Sequence, residues 1–453
     1  MSSTVLAAST GLDFSLAQKL TVVALCALTA FLSHLALAVF NDGVRPFMLD
    51  FVQGRTTRSA TTAVSFGLSA GFVFGLGAPM ALSSGVLNPW LVFLPTDVLG
   101  LLAPRKWLAP LLGGAWGAVI VFGLNGANDL AHDLPVDFLT AMQHMATPIL
   151  FLFTLFPVLA VTRQFGKLLG ALAGVVELVL VVLTMKVWPG VFAGAPAMAV
   201  GVLLLIGFAV AKDVRRRRAE QAAAEAEGEA ANIPGGLGEE DPMASLFGAS
   251  AARLRRHLPL FMVLGAGVCL LSQLHVFGGG EATSFLIAKG QYTEAAQVDF
   301  YRAFGFIPLI ATTALASGAY GIVGFTLVYP VGYLLPNPWL AVVCGALVFA
   351  AEVLALSWIG RVLGRLPSVR DSSEHVRGAI GDTLQLAILF GSLMAANAMG
   401  GGLGILIAGG LYLLNEATGR VVVRMAAAPA AVVVCGIVLN LLYWLGLFTP
   451  ITS

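Results

Sequence analysis

SGVLNPWLVFLPTDVLGLLAP, residues 84–104, is the stretch that decides how the rest of the chain is read. It is as apolar as a membrane span, yet it holds Asn88, Pro89, Pro95, Thr96 and Asp97 and is bounded by Gly85 and Pro104. Each internal proline removes a backbone N–H and crowds the preceding turn, so a continuous helix breaks here. In a bilayer the freed backbone groups need partners in protein or in a wet cavity. A carboxylate at that depth is costly unless it is paired or solvated. A broken helix carrying a carboxylate is a common way for transporters to build a substrate or ion site. Asp97 and Thr96 are therefore the first candidate ligands. The competing reading places Asp97 near the inner interface, paired with Arg105.

The composition agrees with a bilayer as solvent. Of 453 residues, 58% are apolar and only 11% charged, where a soluble domain carries about 25%. This predicts an all-α, polytopic membrane protein. Lys+Arg 25 against Asp+Glu 24 gives a net charge of +1, which offers nothing to nucleic acid. Cys26, Cys269, Cys344 and Cys435 all lie in apolar stretches without CxxC spacing, which predicts buried free thiols. Residues 1–19 lack the basic start and small-residue cleavage site of a signal peptide, so the apolar run 20–40 is expected to stay as a span.

Counting runs of about 20 apolar residues gives roughly a dozen crossings. Expected spans are 20–40, 61–82, 86–103, 107–124, 137–162, 166–187, 190–211, 258–277, 339–359, 380–399, 402–415 and 425–448, with a broken region at 303–335. That region reads as either a re-entrant hairpin or two short crossings. Arg45, Arg55 and Arg58, then Arg105 and Lys106, then Arg163 and Lys167, then Arg215–Arg218 occupy alternate loops. By the positive-inside rule the N-terminus is periplasmic and loop 212–257 cytoplasmic. The chain thus divides into a membrane half 1–211, a cytoplasmic linker 212–257 and a membrane half 258–453. Thr61-Thr62-Ala63 before Asn88-Pro89-Trp90-Leu91, and Thr312-Thr313-Ala314 before Asn337-Pro338-Trp339-Leu340, suggest an internal duplication, read as two inverted repeats.

The strings HLALAVFNDGVRPFMLDFVQG (34–54), SFGLSAGF (65–72), LNPWLVFLPTDVLG (87–100), FGFIPLIATTALASGAY (304–320) and LNLLYWLGLF (439–448) resemble the YhfT family of bacterial inner-membrane proteins. The resemblance runs from about Leu20 to Phe448. It implies a bacterial inner-membrane transport protein whose members sit beside genes for metal-dependent hydrolase-like and pyridoxal-phosphate-type enzymes, hence a metabolite transporter for a small catabolic pathway. It carries over no site residues.

Several further residues compete for a role. Asp42 and Arg45, in Asn41-Asp42-Gly43-Val44-Arg45-Pro46, can pair with each other or with a substrate, or form a plain inside turn. Thr61, Thr62, Thr312 and Thr313 offer pocket hydroxyls, although helical Thr often bonds its own backbone; Asn88 and Asn337 are their expected neighbours. Glu177 and Glu352 lie in the middle of spans, where charges are functional by default; Arg302 and Arg420 are the partners that would make them structural. Gly166, Gly170 and Gly174 share one helix face, as do Gly67, Gly71 and Gly75, which favours close helix packing. His34, His144 and His275 show no metal-ligand spacing, and no HExxH, P-loop, GxSxG or dinucleotide fingerprint occurs in a usable context. The expectation is a non-enzymatic secondary-active-type transporter of a small polar metabolite with no resident cofactor, working in the lipid bilayer on an ion gradient of H+ or Na+. A homo-oligomer stays open, and so does a rival reading as a membrane scaffold for neighbouring enzymes.

Overall fold

The computed structural model describes residues 14–41, 51, 54–73, 77–189, 192–226, 242–321, 327–422 and 424–450. The described residues are largely helical. The first group comprises α1 (Leu16–His34), β1 (Ala38–Val39), α2 (Arg58–Phe72), α3 (Ala78–Ser84), α4 (Pro89–Val92), α5 (Leu94–Leu102) and α6 (Leu108–His132). A connecting group follows: α7 (Phe138–Met142), a single 3-10 turn, α8 (Ala146–Phe153), α9 (Phe156–Phe165), α10 (Lys167–Val187) and α11 (Gly194–Ala226). The second half holds α12 (Pro242–Arg256), α13 (Leu258–Gln273), α14 (Glu281–Ala288), α15 (Tyr292–Ser317), β2 (Tyr320–Gly321), α16 (Val328–Leu334), α17 (Pro338–Arg365), α18 (Pro367–Ala417) and α19 (Arg424–Trp444).

Among the described residues, seven helical stretches are long and apolar enough to cross a membrane, or eight if the bent pair Gly248–Arg256 and Leu258–Gln273 counts as one more. The expected dozen is not confirmed, for local reasons. Stretch 86–103 is two short helices, because Pro89 and Pro95 each start a new first turn, where a missing N–H costs nothing. Runs 380–399 and 402–415 lie in the stretch Pro367–Ala417, which is two helices parted by non-helical backbone at Gly400 and Gly401, where the sequence places the break, although the stretch counts once among the seven. Region 303–335 holds the end of a long helix, which stops on left-handed Gly318, then the short strand β2 and the short α16. Part of the expected linker is ordered too. Helix α11 continues through Arg215–Arg218, and α12 packs on α15 and α17 and sends Arg253 Nη2 to the Leu35 carbonyl at 2.9 Å.

Three local structures occur twice, in the same order. Leu32-Ser33-His34-Leu35 ends α1, and Leu271-Ser272-Gln273-Leu274 ends α13. Each is followed by a non-glycine in left-handed backbone, Ala36 (φ 52°) and His275 (φ 56°). The capping bonds match: Ala36 N–H donates to Ser33 O and Leu37 N–H to Leu32 O, as His275 N–H does to Ser272 O and Val276 N–H to Leu271 O. This is the double hydrogen bond of a Schellman stop. Ala81-Leu82-Ser83-Ser84-Gly85 ends α3, and Ala314-Leu315-Ala316-Ser317-Gly318 ends α15, each on a left-handed glycine (φ 69° and 65°). Trp107-Leu108-Ala109 opens α6 and Trp339-Leu340-Ala341 opens α17. Helix α6 packs along α1, as α17 packs along α13. Gly113 lies against the Cys26 carbonyl of α1, and Gly345 against the Gly265 carbonyl of α13, each too close for a side chain.

The two groups then cross. β1 pairs in parallel with β2, with Tyr320 N–H donating to Leu37 O at 2.8 Å. Leu87 and Phe277 form the matching parallel bridge, with Leu87 N–H donating to Val276 O at 2.9 Å. Leu37 and Val276 hold the same place after their helices, and so do Leu87 and Tyr320. The first group thus gives to the second the bond that it receives from it, the reciprocity of a two-fold contact.

This register differs from the one expected from the sequence. The two Asn-Pro-Trp-Leu strings open unlike elements, the short α4 and the long α17. They resemble each other because both start a helix: Asn88 Oδ1 accepts from Leu91 N–H and Asn337 Oδ1 from Leu340 N–H, with proline in the first turn after each.

Candidate functional site

The crossing builds a buried centre with a carboxylate on each side. Asp97, in the first turn of α5, is fully buried. Its Oδ1 accepts from Ser33 Oγ at 2.6 Å, and its Oδ2 accepts from the backbone N–H of Phe40 at 2.7 Å and of Asn41 at 2.8 Å. Asp97 therefore satisfies the amides of the extended chain that leaves α1. Arg105, the partner in the competing reading, is exposed. Thr96 is also fully buried, but its hydroxyl donates to Phe93 O at 2.6 Å within its own turn.

On the other side the chain leaving α13 runs through Gly278, Gly279 and Gly280. Gly279 N–H donates to the Tyr333 hydroxyl at 2.7 Å, and that hydroxyl donates to Asp299 Oδ2 at 2.7 Å. Asp299 Oδ1 also accepts from Thr283 Oγ1 at 2.8 Å and from Arg302 Nη2 at 2.6 Å. Asp299 and Arg302 form a buried i,i+3 ion pair on α15, with side chains 1% and 9% exposed. The Tyr329 hydroxyl is buried beside this cluster and has no hydrogen-bond partner among the described residues. A side chain at Gly280 would collide with the Arg302 guanidinium. A chain of rings links the two sides: Phe40 to Phe93 (5.0 Å), Phe93 to Phe277 (5.4 Å) and Phe277 to Tyr329 (5.7 Å).

A cavity of about 50 Å³ adjoins the second carboxylate, bounded by Trp90, Phe153, Thr154, Met198, Gly279 and Arg302, among others. On this measure it holds a few waters. Its wall is largely apolar, and Arg302 is the charged residue in it.

The remaining sequence candidates fall in different places. Asn88 is buried and ties α4 to the Gly77 carbonyl (2.8 Å); Asn337 caps α17 beside the exposed Trp339. Thr61 and Thr62 donate back to Thr57 O and Arg58 O within α2. Thr312 and Thr313 lie on α15, with side chains outside the described set; Asp42 and Arg45 lie outside the described residues. Glu352 belongs to the crossing: it accepts from the Tyr320 hydroxyl of β2 and from Leu327 N–H (2.9 Å). Glu177 is buried between α9, α10 and α11, away from the crossing. Arg302 pairs with Asp299, and Arg420 with Glu416.

Sequence reasoning missed Asp299, Tyr329 and Tyr333 as site residues, and it named Arg302 only as a counter-ion for Glu177 or Glu352. The signal was available, as Asp299-x-x-Arg302 follows Gly278-Gly279-Gly280 by less than two dozen residues. A hydropathy window rejects that charged pair, which is why the expected broken region began at 303.

Long apolar helices around interrupted ones, with ionisable side chains buried at the interruptions, define the class: an α-helical chain built for a membrane. The chain belongs to the YhfT family. The family's sequence profile, described as a protein of unknown function, matches residues 18–448. The chain is 39% identical over 445 residues to "Uncharacterized protein YhfT" of Escherichia coli (strain K12), covering 96% of this chain and 99% of that protein. No solved structure matches it.

Proposed function

We propose that this protein is a secondary-active-type transporter of a small polar metabolite across the bacterial inner membrane. The observation that carries the reading is the reciprocal crossing, where interrupted chain from two like units meets around buried carboxylates. Interrupted helices at a pseudo-two-fold interface are where many transporters hold substrate and ion. Asp97, Asp299 and Arg302 are the groups at that interface, and Arg302 in the cavity wall favours a substrate with an acidic group, which a guanidinium binds in bidentate fashion.

The basic residues support inversion of the two units. Arg105 and Lys106 stand just before α6, whereas Arg361 and Arg365 stand at the far end of its counterpart α17. Placing both sets in the cytoplasm turns the helices in opposite directions. The same rule puts 215–218 and 253–256 inside. We read it as a carrier; among the described residues no group of three or more His, Cys, Asp or Glu could hold a metal ion.

The test needs no substrate. Ala282 is buried in the cavity wall. A cysteine there, in protein reconstituted in liposomes, should react with a membrane-impermeant maleimide offered from either face, as alternating access requires. Reaction from one face only, or from neither, overturns the transport reading and favours a scaffold.

A further inference from the structure

Glu177 stands apart from the crossing. It lies in the middle of α10, a helix whose other faces carry exposed apolar side chains such as Leu172, Val175, Leu178, Val179 and Val182. Glu177 is 2% exposed, and neither of its carboxyl oxygens has a hydrogen-bond partner among the described residues. Gly201 of α11 faces it so closely that a Cβ there would overlap the carboxyl, and Pro157 of α9 borders the same spot.

Among the described residues, no charge stands close enough along the neighbouring helices to compensate a carboxylate. On α10 itself the basic residues are Lys167 and Lys186, ten and nine residues away, about 14 Å or more along the axis at 1.5 Å per residue. On α9 the titratable group is Arg163, which is ion-paired with Asp382 of α18. On α11 the first are Lys212 and Asp213, eleven and twelve residues beyond Gly201, and Asp213 accepts from Ser368 N–H. An ionised carboxylate at 177 would have neither a counter-charge nor a hydrogen bond, at a cost of several kcal/mol in such surroundings. The neutral acid avoids that cost.

We infer that Glu177 is a proton-binding site, and that the proton is the ion to which transport is coupled. The second clause rests on the transport reading, whereas the first does not. The chemistry is one proton taken from water by a carboxylate oxygen and returned to water, with no redox step. The route runs along the seam of α9 and α11. Thr154 and Met198, which border the cavity, stand one helical turn before Pro157 and Gly201. Loosening that seam by a turn's length brings cavity water to Glu177.

Infrared spectroscopy of the protein in lipid at neutral pH, wild type against Glu177→Gln, tests both clauses without substrate. The expected result is a protonated-carboxyl carbonyl band, at the high frequency of a group without hydrogen bonds, present in wild type and missing in the variant. It should shift down after exchange into D2O. Absence of a difference band means an ionised Glu177 and overturns the site. A band that D2O does not move means a sealed proton and overturns the coupling. If Glu177→Gln does not fold, Glu177→Asp displaces the band instead of removing it and gives the same decision. Failure here leaves two-face labelling at position 282 standing, and failure of that labelling leaves the infrared result standing.

Discussion

In the first unit the chain that follows α1 runs into the carboxylate of Asp97, borne by α5. In the second the chain that follows α13 runs into Tyr333 of α16, and the carboxylate behind that hydroxyl, Asp299, comes from α15. The backbone task is the same, since buried N–H groups at a helix break must be bonded. The side chains around it are not. Asn41 Nδ2 donates to Ser69 Oγ at 3.1 Å in the first unit, where the second sets Gly280 against the Arg302 guanidinium. A neutral pair has been exchanged for a glycine and a charge. The difference is that Asp97 meets the chain directly, whereas on the other side Tyr333 stands between the chain and Asp299, and Arg302 borders the cavity.

The largest effect should come from breaking the ion pair. Arg302→Met leaves Asp299 charged and buried, and loss of one partner from such a pair costs about 3–5 kcal/mol. Thermal unfolding in detergent should show a large drop, and Asp299→Asn added to Arg302→Met should recover much of it. Failure of the double variant to recover would mean that the two residues act separately.

Asp97 should respond differently, because it bonds two backbone amides and a hydroxyl directly. Asp97→Leu strips the carboxylate from two buried amides and one hydroxyl, each worth about 1–3 kcal/mol when left unbonded. Asp97→Asn should lose far less. Its oxygen can accept from Phe40 and Asn41, and its amide nitrogen can donate to Ser33 Oγ. Equal loss in the two variants would show that the charge itself is needed, and would restore Asp97 to the centre of the mechanism.

Gly280→Ala sharpens the contrast at lower cost. The added Cβ falls on the guanidinium, and overpacking of this kind costs about 1–3 kcal/mol. The same position in the first unit carries Asn41 with its side chain in place, so Asn41→Ala forfeits its bond to Ser69, worth about 1 kcal/mol. Comparable unfolding midpoints for the two variants would erase the asymmetry between the units.

Much of this was legible in the residues, though unevenly. The apolar composition gave the class, Pro89 and Pro95 gave the break, and Asp97 was found at it. The matching local structures also have matching spelling, but it is faint: Leu-Ser-x-Leu and Ala-Leu-x-Ser-Gly use the commonest residues of a membrane chain, and Trp-Leu-Ala adds a single scarce one. Asn-Pro-Trp-Leu drew attention because Asn, Pro and Trp are scarce, yet capping a helix start needs that string anywhere. What distinguishes the true matches is backbone geometry, the paired left-handed residues and the crossed hydrogen bonds, which composition does not carry. Asp299 and Arg302 escaped for another reason. A buried pair of opposite charges looks, to a hydropathy count, like the end of a span.

The smallest test concerns the two left-handed residues. A non-glycine there costs roughly 1–2 kcal/mol. Glycine removes that cost but adds about 0.5–1 kcal/mol of lost backbone freedom. At position 36 the change also gives up a buried methyl, about 0.8 kcal/mol, so Ala36→Gly should leave stability nearly unchanged. His275 does more than turn the chain. Its ring stacks on Tyr292 at 3.6 Å with an interplanar angle of 11°, and Nε2 lies 3.3 Å from Tyr333 O. A stacked pair adds about 0.5–1.5 kcal/mol beyond its buried area. His275→Gly should therefore lower the unfolding midpoint where Ala36→Gly does not. The loss falls on the residue whose neighbour Tyr333 supports Asp299, so it should grow smaller in a Tyr333→Phe background if the two act through one another. An equal response at both positions would make the turn a purely backbone device in each unit, and would confine the difference between the units to Asp299, Arg302 and Gly280.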